Sequence, residues 1–164
     1  MNQNCVVVAG GTRARFFTLE QPRHPEIESG PNLREVNDLI NPEAEMHDNQ
    51  LWSDTKSGRN RGKGSSAHGY DDHRTQHEDE FDRRFVRSIA RQAADLARAS
   101  SAQNLVLVAQ KRILGMLRNE LDPLIKSGIA IQELAKDLTK LAPLELQAHL
   151  AREALVPARK SPAG

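Results

Sequence analysis

Two runs carry the densest apolar character in the chain, CVVVA at 5 to 9 and LVLVA at 105 to 109. Short unbroken runs of this kind suit strands covered on both faces, since a strand with one wet face alternates apolar and polar positions. Both therefore predict central strands, the first spanning 4 to 9. After it, Gly10, Gly11 and Thr12 supply turn chemistry and RARFFTLE resumes with Phe16, Phe17 and Leu19, which predicts a hairpin. The next stretch, QPRHPEIESGPN, holds three Pro and one Gly and cannot continue a strand. LREVNDLIN follows with Leu33, Val36, Leu39 and Ile40 in a pattern that fits a third strand imperfectly, closed by Asn41-Pro42.

The second half switches to helical spacing. Thr75 with Glu78 offers a capping pair, and the acids at 78 to 80 suit a helix N-terminus. Phe81, Phe85, Ile89, Ala93 and Leu96 then recur at intervals of four, four, four and three, the buried stripe of a helix running to about residue 100. KRILGMLRNEL reads as a helix, Asp122-Pro123 as the start of a short one, IAIQELA as a strand, and APLELQAHLAREAL as a last helix with Pro143 near its start. The closing VPARKSPAG reads as a disordered tail. The order β-β-β, long loop, α-β-α-β-α predicts one α/β domain over residues 1–155, with a mixed β-sheet and helices on its faces, and a tail at 156–164.

Composition changes abruptly in the middle. From about 48 to 75 the chain is rich in Gly, Ser and charge with little to bury, and it is expected to be a mobile surface loop. Its left half is basic: Lys56, Arg59, Arg61 and Lys63 lie in a stretch with no acid from 55 to 70. The whole chain is nearly neutral, with 23 Lys and Arg against 22 Asp and Glu, so no global field draws it to nucleic acid or an anionic membrane. Any such contact must be local. The one cysteine, Cys5, allows no internal disulfide, no signal peptide is readable, and no apolar run approaches the ~20 residues that span a bilayer. The cytoplasm is the expected compartment.

Few motifs carry chemistry. GRNRGKGSS is one residue short of a phosphate-binding P-loop and places Gly64 where a hydroxyl should follow Lys63, with no apolar strand leading in. AGGTRA lacks the dinucleotide fingerprint and runs into a strand instead of a helix. His68, His73 and His77 beside Asp71, Asp72 and Glu78 have metal-ligand types, yet the plainer reading is a polar solvated stretch. Cys5 sits among valines with no cation nearby, which reads as a buried small hydrophobe rather than a nucleophile. The first strand has no acid, which disfavours a two-metal nuclease. Nothing points to a catalytic residue, a metal or a cofactor. What remains is the basic loop, where Lys and Arg separated by Gly and Ser could contact phosphates on a pliable backbone, with Arg13 and Arg15 on one face of the second strand as additional contacts.

RARFF at 13–17, LREVNDLINPEA at 33–44, SDTKSGR at 53–59, LVLVAQKRILGMLR at 105–118 and KDLTKLAPLELQAHL at 136–150 together resemble the bacterial family named for a protein required for attachment to host cells. The chain departs from that pattern at Gly10, Ser57 and Gln110. The family in turn resembles the middle domain of archaeal and eukaryotic class-one translation release factors, which implies a ribonuclease H-like fold. In release factors the long basic loop carries Gly-Gly-Gln. No Gly-Gly-Gln occurs here, so peptidyl-tRNA hydrolysis is not implied, while RNA or the ribosome is the implied partner. The expectation is a non-catalytic cytoplasmic RNA- or ribosome-binding factor acting on attachment indirectly. Its rivals are a protein-contact or adhesion factor acting directly and, further off, a metal-dependent hydrolase.

Overall fold

The computed structural model describes residues 4–42 and 67–162, with the backbone alone described for 67–82. Strands β1 (Asn4–Ala9), β2 (Arg13–Glu20), β3 (Asn32–Ile40), β4 (Asn104–Ala109) and β5 (Ala130–Ala135) form one sheet in the order β3-β2-β1-β4-β5. β1 pairs antiparallel with β2 and parallel with β4, and β4 pairs parallel with β5. The sheet is thus an antiparallel hairpin and its neighbour grown onto a parallel three-strand unit.

The two apolar runs take its centre, as their lack of alternation predicts. From Cys5 to Ala9 and from Leu105 to Ala109 every residue is buried. Cys5, Val7, Leu105 and Leu107 face helices α1 (Ala67–Ala99), α2 (Lys111–Glu120) and α3 (Asp122–Lys126), where Phe85, Ile89, Ala93 and Leu117 fill the layer. Val6, Val8, Val106 and Val108 face helix α4 (Pro143–Arg152), where Leu146, Leu150 and Phe17 do the same. The result is three layers with two separate cores, which explains why both strands are apolar throughout.

Two boundaries differ from the sequence reading. Helix α1 begins at Ala67, eight residues before Thr75, so the segment expected to be a loop to 75 is helical from 67 onward. Once the apolar stripe is packed, extending a helix adds a hydrogen bond for each residue fixed, and a local capping signal need not set its start. The C-terminal tail is also tied down. Val156 is buried, Gly30 and Lys160 exchange both backbone hydrogen bonds (3.0 and 2.8 Å), and Arg159 Nε donates to Asn32 Oδ1 at 2.7 Å. One apolar residue among Pro, Ala and Lys leaves no readable pattern, because the tail is held mainly by polar and backbone bonds.

Gln147 on α4 connects that tail to the sheet. It is 2% exposed, accepts from Leu33 N (3.1 Å) and donates to the carbonyls of Pro31 (2.8 Å) and Pro157 (3.4 Å). A buried amide bonded on both its oxygen and its nitrogen satisfies backbone groups that the edge strand would otherwise leave orphaned.

Candidate functional site

In open α/β sheets ligands gather outside the carboxyl ends of the parallel strands. Here that edge collects the turn after β1, the N-terminus of α2, the segment after β5, the start of β2 and the end of β3. Gly10 N donates to Arg13 O at 2.8 Å to close the turn, and Asn41 binds it from the side through N to Thr12 O (2.9 Å) and Nδ2 to Gly11 O (3.1 Å). A Cβ on Gly10 would stand 3.3 Å from Thr139 Cγ2, so the glycine permits the post-β5 segment to approach. That segment is shaped by Asp137, whose Oδ1 accepts from Thr139 N (3.2 Å) and Thr139 Oγ1 (2.7 Å), while Leu138 enters the core. The KDLT stretch is therefore a structural turn that seats against the first hairpin.

Arg13 and Arg15 share one face of β2, and both are engaged by carboxylates of β3. Arg13 grips Asp38 with Nε to Oδ1 at 3.0 Å and Nη2 to Oδ2 at 3.1 Å, and this pair is open to solvent. The neighbouring carboxylate holds the Arg13 guanidinium above its usual pKa, mainly through that hydrogen bond. Arg15 is buried, with its side chain 8% exposed. Its Nε and Nη2 fork onto Glu35 at 3.0 and 2.8 Å, its Nη1 donates to the carbonyls of Thr139 and Leu141, and its guanidinium carbon lies 5.0 Å from the centre of the Phe17 ring. A planar five-donor group suits this task where a lysine would not.

A β-bulge makes the double pairing possible. The register runs Arg15 with Asp38 and Phe16 with Asn37, then slips so that Phe17 faces Glu35, leaving Val36 as the extra residue. Residues 35 and 38 would otherwise point to opposite faces, because side chains alternate along a strand. The slip puts both acids on the arginine face. Sequence reading found Arg13 and Arg15 but missed Glu35 and Asp38, because odd spacing concealed their shared face. The bulge was the absent signal.

Lys56, Arg59, Arg61 and Lys63 lie outside the described residues, as do the side chains of His68, His73 and His77. Among the described residues no three His, Cys, Asp or Glu side chains stand close enough together to hold a metal ion. Cys5 is fully buried, its Sγ 3.1 Å from Ser100 Oγ, and burial raises its thiol pKa while that hydrogen bond lowers it in part. A thiol so placed is a poor nucleophile. No described helix is long and apolar enough to cross a membrane.

The class these features define is a three-layer α/β domain whose carboxyl edge is built of structural turns and satisfied ion pairs. Within that class the chain belongs to the family described as "Protein required for attachment to host cells", whose model matches residues 5–150. No curated protein matches the chain.

Proposed function

We propose that this family member binds RNA, free or on the ribosome, through Lys56, Arg59, Arg61 and Lys63, works without a catalytic group, and influences host attachment indirectly from the cytoplasm. The observation that supports it most is one of charge placement: residues 55 to 70 hold four cations and no acid within a chain whose net charge is only +1. Phosphate binding needs a local excess of this kind. The last described residue before it, residue 42, follows Asn41, which is bonded to Gly11 and Thr12 at the carboxyl edge of the sheet. The order of elements suits a release-factor middle domain, and a contact without Gly-Gly-Gln would be binding alone. Arg15, spent on Glu35 and two carbonyls, holds the hairpin to the post-β5 segment, while Arg13 ties β2 to β3 through Asp38.

Salt dependence tests it. Neutralising the four residues to Gln in the full chain should reduce the slope of log affinity for RNA against log salt by about 3 units. Equal slopes for wild type and variant, or no RNA binding by either, would refute the reading.

The family description also favours a second reading, direct contact with a host protein. Val36 and Ile40, 41% and 53% exposed on edge strand β3, offer it an apolar surface. Cell fractionation separates the two, since recovery on the outer surface supports adhesion and co-sedimentation with ribosomes supports RNA binding.

A further inference from the structure

Helix α1 carries a row of arginines of which only Arg87 meets another element. Arg83, Arg87, Arg91 and Arg98 are all exposed. At about 100° per residue they fall within an arc of about 80°, turned away from the apolar stripe of Phe85, Ile89 and Ala93 and flanked by Ala90 and Ala94. The first three stand about 6 Å apart along the axis, and the whole row extends about 22 Å. Arg87 approaches Glu120 Oε1 at 3.8 Å, both side chains remaining well exposed. Arg83, Arg91 and Arg98 have no hydrogen-bond or ion-pair partner among the described residues.

The row borders a groove of about 260 Å³ between α1 and the corner where α2 passes into α3. Ala90 and Ala94 form its floor, and Glu120, Leu121 and Pro123 its far side. Small floor residues keep the groove open beneath the guanidinium groups. Three acids lie near in position: Glu120, turned to Arg87; exposed Asp95, about 40° of helix rotation beyond Arg91; and Glu80, which by periodicity heads the row. With exposed Arg84 beside them, five arginines stand against Glu80, Asp95 and Glu120, which leaves a strip of net positive charge.

We infer that this row is a second nucleic-acid contact, binding the phosphate backbone of double-stranded RNA along α1. The inference rests on the RNA-binding reading and extends it to a separate surface. Three features select the ligand. Repeated guanidinium groups with open donors match phosphate oxygens, which accept their forked bonds. The near-linear row follows a backbone better than it would enclose one small anion. Among the described residues no aromatic side chain lines the groove, so they offer no platform for stacking unpaired bases, and duplex recognition through phosphates and shape is the mode that fits them.

The test uses the full chain, a short RNA duplex and a single strand of equal length, with affinity followed across a salt series. The variant R83Q/R91Q/R98Q should bind the duplex more weakly whatever its sequence, with a slope shallower by about 3 units, while its Lys counterpart R83K/R91K/R98K keeps most of the slope. Circular dichroism of both variants should match wild type, since all three positions are exposed. If the Gln variant keeps wild-type duplex affinity and slope while neutralisation of residues 56 to 63 destroys them, this inference falls and the first reading stands. If only the α1 variant loses binding, the helix is a contact and the loop reading falls. No binding by wild type overturns both. Should the Gln variant keep duplex binding but lose binding to poly-glutamate, the row serves an acidic protein segment and the inference is wrong.

Discussion

The arginines of β2 and those of α1 are alike in the sequence and opposite in the structure. On β2, Arg15 has its guanidinium fixed by two carboxylate oxygens and two carbonyls, and Arg13 has a forked bond to Asp38. On α1, three of four aligned arginines have no partner among the described residues. The difference lies in the neighbours. A bulged strand brings two acids across from β2, whereas the α2–α3 corner brings one, Glu120, across from the whole row. Positive charge in a sequence is therefore not a binding site until the opposing element is known. The first pair of arginines stabilises the fold, and the second group is left for a ligand.

The largest effect expected from that contrast is at Arg15. Arg15→Ala should lower stability by about 3 kcal/mol, because it removes a buried forked pair and strands carbonyl acceptors, and Arg15→Lys should recover little of it. Urea midpoints at constant slope measure both. A loss below about 1 kcal/mol would mean that Arg15 is as dispensable as a surface charge. Arg13→Ala should cost under about 1 kcal/mol, since its pair with Asp38 is solvent-exposed and screened, and raising salt should shrink even that. Smallest of all, Glu120→Gln should change stability little yet tighten duplex RNA roughly threefold at low salt by freeing Arg87 and removing the one facing carboxylate. Weaker RNA binding in that variant would break the contrast, because it would make the ion pair part of the contact.

Much of the architecture was legible in the chain because its central strands have no polar face. CVVVA and LVLVA could only be covered on both sides, and the stripe from Phe85 through Ala93 could only be helical. What escaped were features that depend on another element's position. The slip at Val36 that gives Arg13 and Arg15 their acids has no local pattern, and neither has the tail, which is held by Gly30, Asn32 and Gln147. The start of α1 escaped for a related reason, since the Thr75 and Glu78 signal lies inside a helix that begins at Ala67. The candidate site was half legible. The basic segment at 56 to 63 announces itself by composition, but Arg83, Arg87, Arg91 and Arg98 have in sequence nothing to separate them from the polar face of any amphipathic helix, and the groove that borders three of them depends on the α2–α3 corner.

Ultraviolet crosslinking of the full chain to RNA, followed by mapping of the crosslinked peptides, tests the division between engaged and open cations most directly. Crosslinks should fall in peptides covering 56 to 63 and 83 to 98 and be absent from β2. Crosslinks concentrated on β2 or α4, or none above those of an unrelated neutral protein, would contradict it.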